Sequence, residues 1–144
     1  MTKLHASKTA PYSCENMYNL VNDVASYPLF LPFCTKGEVH YQDNDEMQAS
    51  IEVSVLGMTQ TLTTRNFLKL HKMIEMRLQG GLFSHLEGFW RFEPTQEGSI
   101  VTFDIEFAFS NRMLSMFIDL ESFMGKIITA FEKRAHEVYG EKVG

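Results

Sequence analysis

The residues of this chain that can make or break bonds are few and scattered. Cys14 and Cys34 are its two thiols, and neither has a histidine nearby in sequence. Their spacing fits neither a CxxC pair nor a metal-ligand set. His40, His71, His85 and His136 fall on expected turns, outward strand positions or the polar face of a helix. No Ser/His/Asp or Cys/His grouping, phosphate-binding loop or dinucleotide fingerprint occurs. Acid–base catalysis needs a titratable group inside a pocket, and this pattern offers none, so the expectation is a protein that is not an enzyme. What the chain offers instead is apolar surface in an unusual place. The stretch NDVASYPLFLPFC, Asn22 to Cys34, presents Tyr27, Phe30, Leu31 and Phe33 on a frame of two prolines. Apolar residues in a connection either plug a core or line the mouth of a cavity.

The flanking elements must hold that segment. A short strand is expected over Lys3 to Thr9. Ser13 then suits an N-cap, with Tyr12 and Met17 spaced as a hydrophobic staple. Met17, Leu20, Val21 and Val24 follow at helical spacing, and Pro28 biases Tyr27 out of the helical region, so this helix should end near Ser26. From Glu38 the period becomes two, with Met47, Ala49, Ile51, Val53 and Val55 on one face and Gln48, Ser50, Glu52 and Ser54 on the other. Further strands are expected near Thr59–Leu70, Met73–Gln79, Glu87–Glu93 and Ile100–Phe109, with Gly80-Gly81 and Glu97-Gly98 as punctuation. In the last strand Val101, Phe103, Ile105, Phe107 and Phe109 alternate with polar residues, as in an antiparallel sheet with one wet and one dry face. A long helix is expected over Asn111 to Tyr139, stopped by Gly140. Its first half is apolar nearly all round, which means burial on more than one side. A curved sheet with this helix across its concave face leaves a gap that the YPLFLPF segment is placed to close.

At 144 residues the chain has the length of one domain, spanning residues 1–144. No apolar run is long enough to cross a bilayer, and the N-terminus lacks the apolar core of a secretory signal. Two lone cysteines suit a reducing, cytoplasmic setting. The net charge of −5 opposes indiscriminate binding to DNA, because affinity for polyphosphate grows with the phosphates neutralised. Nine Met and twelve Phe suit either an ordinary soft core or an adaptable pocket.

The segments PYSCENMYNLVNDVASYPLFLPFC, TTRNF, FSHLEGFWRFEP and AFEKRAHEVYG resemble the coenzyme-Q-binding/ribosome-association-toxin family of the START-like polyketide cyclase/lipid-transport superfamily. The most specific marker is LVNDVxSYPxFLPxC with a downstream GxWxF, here Gly88, Trp90 and Phe92. The sequence departs from the family at Gly80-Gly81-Leu82-Phe83, where DGPF is common. The resemblance implies an α+β helix-grip fold: a curved antiparallel sheet wrapped around a long C-terminal helix, enclosing a hydrophobic cavity. It also implies a non-enzymatic role with no required cofactor. The implied ligand is ubiquinone or a similar polyprenyl quinone, exchanged through transient membrane contact in support of respiration. The alternative it implies is binding to the large ribosomal subunit, blocking subunit association.

For a quinone, the expected lining is Tyr27, Phe30, Leu31, Phe33, Val53, Val55, Leu62, Trp90, Phe107, Phe117, Met124 and Ile128. For a ribosome, the expected contact is a basic patch of Arg65, Lys69 and Arg77 on outward strand positions, with Lys72 at the intervening turn. Arg65 and Arg77 would then face each other, a like-charge pair that costs stability unless an anion lies close. The plainer readings are core aromatics and a solvated sheet face with Glu75 as neutralising neighbour.

Overall fold

Residue periodicity changes along the chain, and the secondary structure follows it. In a computed structural model, which describes residues 2–55, 57–81, 83–111, 113 and 119–140 apart from the side chains of Val55 and Leu120, the chain runs β1 (Thr2–Ala10), α1 (Cys14–Asn22), a 3₁₀ helix (Val24–Leu29), and six strands: β2 (Cys34–Gln42), β3 (Glu46–Val55), β4 (Met58–Lys69), β5 (Met73–Gly81), β6 (Phe83–Pro94) and β7 (Ser99–Phe109). Helix α2 (Leu120–Tyr139) follows. The seven strands form one sheet in the order β1-β7-β6-β5-β4-β3-β2, antiparallel throughout.

The first and second strands therefore lie on opposite edges, and the connection between them must cross one face of the sheet. It does so as α1, which packs on β6 and β7, and as the 3₁₀ helix, which packs on β2. Ser13 caps α1 as its type predicts, its Oγ accepting from the Asn16 N–H at 3.1 Å. The flanking Tyr12 and Met17 are both buried.

Several boundaries differ from the sequence expectation: β2 and β6 each begin four residues early, at Cys34 and Phe83 rather than Glu38 and Glu87. Helix α1 ends at Asn22, not Ser26, and Pro28 lies inside the 3₁₀ helix. A short 3₁₀ helix needs few internal bonds, and Ser26 and Phe30 supply two, donating to the carbonyls of Asp23 (3.1 Å) and Tyr27 (3.2 Å). Gly80 and Gly81 do not end β5 early; both belong to it. The ladder slips by one residue here, between Thr63 and Thr64 of β4, and the extra residue is taken up as a bulge. Gly81, at φ +111°, lies so close to β4 that a Cβ would fall 1.8 Å from the Thr61 carbonyl oxygen. Finally, α2 begins at Leu120, and Asn111 and Asp119 are not helical; residues 112 and 114–118 of the expected helix lie outside the described residues. Asp119 is extended (φ −78°, ψ 97°) and its carboxylate accepts from the Ser122 N–H at 3.1 Å, capping a helix of 20 residues, about 30 Å long.

The C-terminal end of α2 is tied to the start of α1 by two tyrosines. Tyr12 donates to the Gly140 carbonyl at 2.7 Å, and Tyr139 donates to the Asn16 carbonyl at 2.8 Å. Ser99, fully buried on β7, donates to the Tyr12 carbonyl at 2.8 Å.

Two glycines test this account in opposite directions. A Cβ on Gly37 of β2 would fall 2.2 Å from the Val24 carbonyl oxygen, so Gly37→Ala must push the 3₁₀ helix off the sheet edge and should cost about 1–3 kcal/mol, as overpacking does. Gly125 of α2 has nothing within 4 Å of such an atom. Gly125→Ala should therefore stabilise the protein by about 0.5–1 kcal/mol through helix propensity alone. Urea denaturation of both variants measures the two signs.

Candidate functional site

The segment after α1 is built by local hydrogen bonds. The Asp23 carboxylate accepts from Ser26 Oγ at 2.6 Å, and the Tyr27 hydroxyl donates back to the Val21 carbonyl. Leu31 N–H donates to the Tyr27 carbonyl at 2.9 Å, and Cys34 N–H to the Leu31 carbonyl at 3.1 Å. With its backbone satisfied in this way, the segment can turn its side chains towards the sheet and α2. Burial, and to a lesser degree the neighbouring Cys34 and Asp23, push the Tyr27 phenol well above its ordinary pKa. Burial also raises the Cys34 thiol.

Between this segment, the concave face and α2 lies an apolar cavity of about 160 Å³. Of the residues expected to line it, Tyr27, Leu31, Phe33, Val53, Leu62, Trp90, Phe107 and Met124 do so. Phe83, Phe103, Ile105 and Phe109 complete its apolar wall, and Phe123 and Ile127 of α2 its roof. These were legible as the dry side of strands and helix, but period alone does not say which part of a dry face meets a void. Phe33 meets Phe123 with ring centroids 4.5 Å apart, so one residue of the proline-framed segment and one of α2 close one edge of the cavity together.

Two expected lining residues are placed elsewhere. Phe30 stands outside the cavity, its ring edge-on to Phe131 (5.2 Å) and Tyr27 (5.9 Å) and capped by the Arg134 guanidinium at 5.4 Å. The reason is helical geometry: in the turn that follows the 3₁₀ helix, Phe30 and Leu31 point in different directions, and only Leu31 goes inward. Ile128 lines a second, more polar cavity of about 440 Å³ between β1 and α2, whose rim includes Lys8, Glu132, Lys133 and His136. Trp90 and Phe131 border both cavities. Phe117 and the side chain of Val55 lie outside the described residues.

The sequence reading missed a third, small space of about 40 Å³ that adjoins the apolar cavity and is lined in part by Asn22, Thr64 and Asn66. The available signal was strand parity, since Thr64 and Asn66 alternate inward with Leu62 and Leu68 in β4.

On the opposite face of the sheet, Arg65 and Arg77 pair directly, as the antiparallel register predicted. The anions that make this tolerable are present. Arg65 meets Glu46 at 2.7 Å, and Arg77 meets Glu75 at 3.1 Å and Glu87 at 3.7 Å. Both guanidinium groups also lie over the Phe67 ring, at 5.3 and 5.9 Å. Lys69 and Lys72 flank the β4–β5 turn, joined through their backbones at 2.9 Å, with no ion pair to either among the described residues.

A curved antiparallel sheet gripping a C-terminal helix around an apolar cavity defines a START-like fold. The chain belongs to the polyketide cyclase/dehydrase and lipid-transport family, whose pattern matches residues 10–132. It is 37% identical to the ribosome association toxin RatA of Escherichia coli K12, over 99% of this chain and 92% of that protein. It is 30% identical to the mitochondrial coenzyme Q-binding protein COQ10 homolog B of Xenopus laevis, over 94% of this chain and 59% of that protein. Among solved structures it is similar to the 18 kDa protein CC1736 of Caulobacter crescentus, with a TM-score of 0.78, 28% identity, and coverage of 98% of this chain and 100% of that one. The family's name spans cyclases and dehydrases as well as lipid carriers, whereas the two relatives named carry the names of a toxin and a binding protein. No helix among the described residues is long and apolar enough to cross a membrane.

Tyr27 gives this site a measurable pH signature. Its folded pKa lies above the unfolded value of about 10, so its contribution to stability is fully present below about pH 10 and is lost as pH rises beyond it. Tyr27→Phe should cost about 0.5–1.5 kcal/mol at neutral pH, the worth of the lost hydrogen bond. The same change should flatten the alkaline fall. Equilibrium unfolding at pH 7 and pH 11 measures both effects.

Proposed function

We propose that this protein is a non-enzymatic carrier or sensor of an apolar ligand, and that the ligand is ubiquinone or a related polyprenyl lipid. The observation that carries this reading is the composition of the apolar cavity. Among the described residues its lining has one titratable side chain, Tyr27, and that phenol is engaged with a backbone carbonyl and held protonated by burial. A pocket without a free acid or base is suited to holding a chain rather than to transforming it. Each CH₂ group buried contributes about 0.8 kcal/mol before ordering costs, so affinity comes from length and fit. The relative named for coenzyme Q binding supports the same class of ligand.

The volume limits how the ligand sits. At about 160 Å³ the cavity is smaller than the roughly 300–1,000 Å³ of typical small-molecule sites. It takes the head and the first part of a prenyl chain, and the remaining tail leaves past Phe33 and Phe123 towards the membrane from which the ligand is exchanged. A fluorescent apolar probe should bind the purified protein saturably and be displaced by ubiquinone. Phe33→Ser should weaken ubiquinone at least tenfold, about 1.4 kcal/mol. Phe30→Ser should chiefly lower the melting temperature of the free protein, since Phe30 packs on Phe131 and does not line the cavity. Failure of ubiquinone to displace the probe would abandon the quinone reading.

A second reading, association with the large ribosomal subunit, is favoured by similarity along nearly the whole chain to relatives named as ribosome association toxins. Because Arg65 and Arg77 are already neutralised by carboxylates, the cations left for phosphate around the β4–β5 turn are Lys69 and Lys72. Wild-type protein should co-sediment with purified large subunits at low salt, and Lys69→Glu with Lys72→Glu should release it. Absence of wild-type co-sedimentation removes this reading.

A further inference from the structure

The apolar cavity has a polar neighbour. The small space beneath α1 and the 3₁₀ helix shares Tyr27, Ile51, Leu62, Met76 and Trp90 with it, so the same side chains wall both. Thr64 and Asn66 enter this space from β4, and Asn22, the last residue of α1, enters it from the opposite layer. Thr64 and Asn66 are each only 6% exposed. The Oδ1 atoms of both Asn22 and Asn66 are buried without a hydrogen-bond partner among the described residues. Around them stand apolar side chains, among them Val24, Ala49 and Ile74.

Burying an amide oxygen without a donor is costly, whereas an apolar residue of similar size at the same position carries no such cost. Two such atoms, on residues that line one small space beside the apolar cavity, need an explanation beyond folding. We propose that Asn22, Thr64 and Asn66 form a polar subsite that receives one carbonyl or hydroxyl of a neutral, chain-like lipid whose apolar part occupies the adjoining cavity. This assignment rests on the ligand-binding reading above and specifies its head-group chemistry.

The chemistry of the three residues defines the class. An amide can turn either its NH₂ or its oxygen towards a ligand, and a threonine hydroxyl both donates and accepts. A quinone carbonyl and a quinol or prenol hydroxyl therefore each find partners. The space of about 40 Å³ takes one oxygen-bearing group, or a water molecule in its place, and not a whole ring. Among the described residues, no Lys, Arg, His, Asp or Glu side chain lines either this space or the apolar cavity. An ionised head would be desolvated there without a counter-charge, so fatty-acid anions and phospholipid heads are excluded while neutral heads are admitted.

The test compares three probes on the full chain: ubiquinone with a two-isoprene tail, a hydrocarbon of matching length, and a fatty acid of matching length at neutral pH. Wild-type protein should bind the quinone at least tenfold more tightly than the hydrocarbon or the ionised fatty acid. Asn66→Leu should erase the preference for quinone over hydrocarbon, leave hydrocarbon affinity unchanged, and maintain or raise the melting temperature of the free protein. Thr64→Val provides a milder version of the same change should Asn66→Leu fail to fold, with a severalfold loss expected for the quinone alone. Equal loss for quinone and hydrocarbon, no loss for quinone, or wild-type affinity for the ionised fatty acid matching that for quinone would overturn the subsite. Wild-type protein that binds neither quinone nor hydrocarbon would instead overturn the ligand-binding reading on which the subsite rests.

Discussion

Phe131 is the contact on which the interior depends. It is buried on the face of α2 that meets the sheet, and its ring stands edge-on to Trp90 at 5.3 Å, Tyr27 at 5.6 Å and Phe30 at 5.2 Å. Trp90 in turn stacks on Phe103 at 4.1 Å. One helical residue thus joins the sheet, the 3₁₀ helix and the proline-framed segment. Aromatic pairs in these geometries contribute about 0.5–1.5 kcal/mol each beyond the area they bury. A concave sheet cannot fill its own hollow. With α2 fixed at this point, the hollow is divided in two: a more polar space towards β1 and an apolar one towards β3 and β4.

The proline-framed segment serves both purposes that apolar residues in a connection can serve, residue by residue. Leu31 is buried and Phe30 is clamped under Arg134, so this half is part of the core. Phe33 closes the cavity edge against Phe123. Pro28 and Pro32 restrict the unfolded chain at these positions and so lower the entropy lost on ordering the segment. The tyrosine between helix and proline adds a fixed strut, with Tyr27 bonded back to Val21.

The outer face shows the opposite economy. Charged and aromatic residues alternate across neighbouring strands so that each arginine has both a carboxylate and a ring within reach: Arg65 and Arg77 around Phe67, and Arg91 over Phe89 at 4.9 Å while 3.0 Å from Asp104. Exposed ion pairs of this kind contribute little to stability. Their effect is on the surface, which they leave without a free arginine patch despite the basic residues its strands carry.

What the sequence by itself determined was whatever depends on near neighbours. Ser13 as cap, the alternating strands, the antiparallel Arg65–Arg77 pairing and Gly140 as the stop of α2 were all legible, because each is set by side chains within a few residues or by strand period. The inward parity of Leu62, Val53 and Phe107 was legible for the same reason. Tertiary structure decided what parity cannot express. It moved the start of α2 to Leu120, because the Asp119 carboxylate caps it there. It extended β5 through Gly81, because the strand runs so close to the Thr61 carbonyl that only a residue without a side chain fits. It turned Phe30 away from the cavity and put Ile128 on the far side of Phe131. And it brought Asn22 from a helix end opposite Asn66 of a strand, two residues distant in sequence whose shared burial arises only when α1 is laid across the sheet.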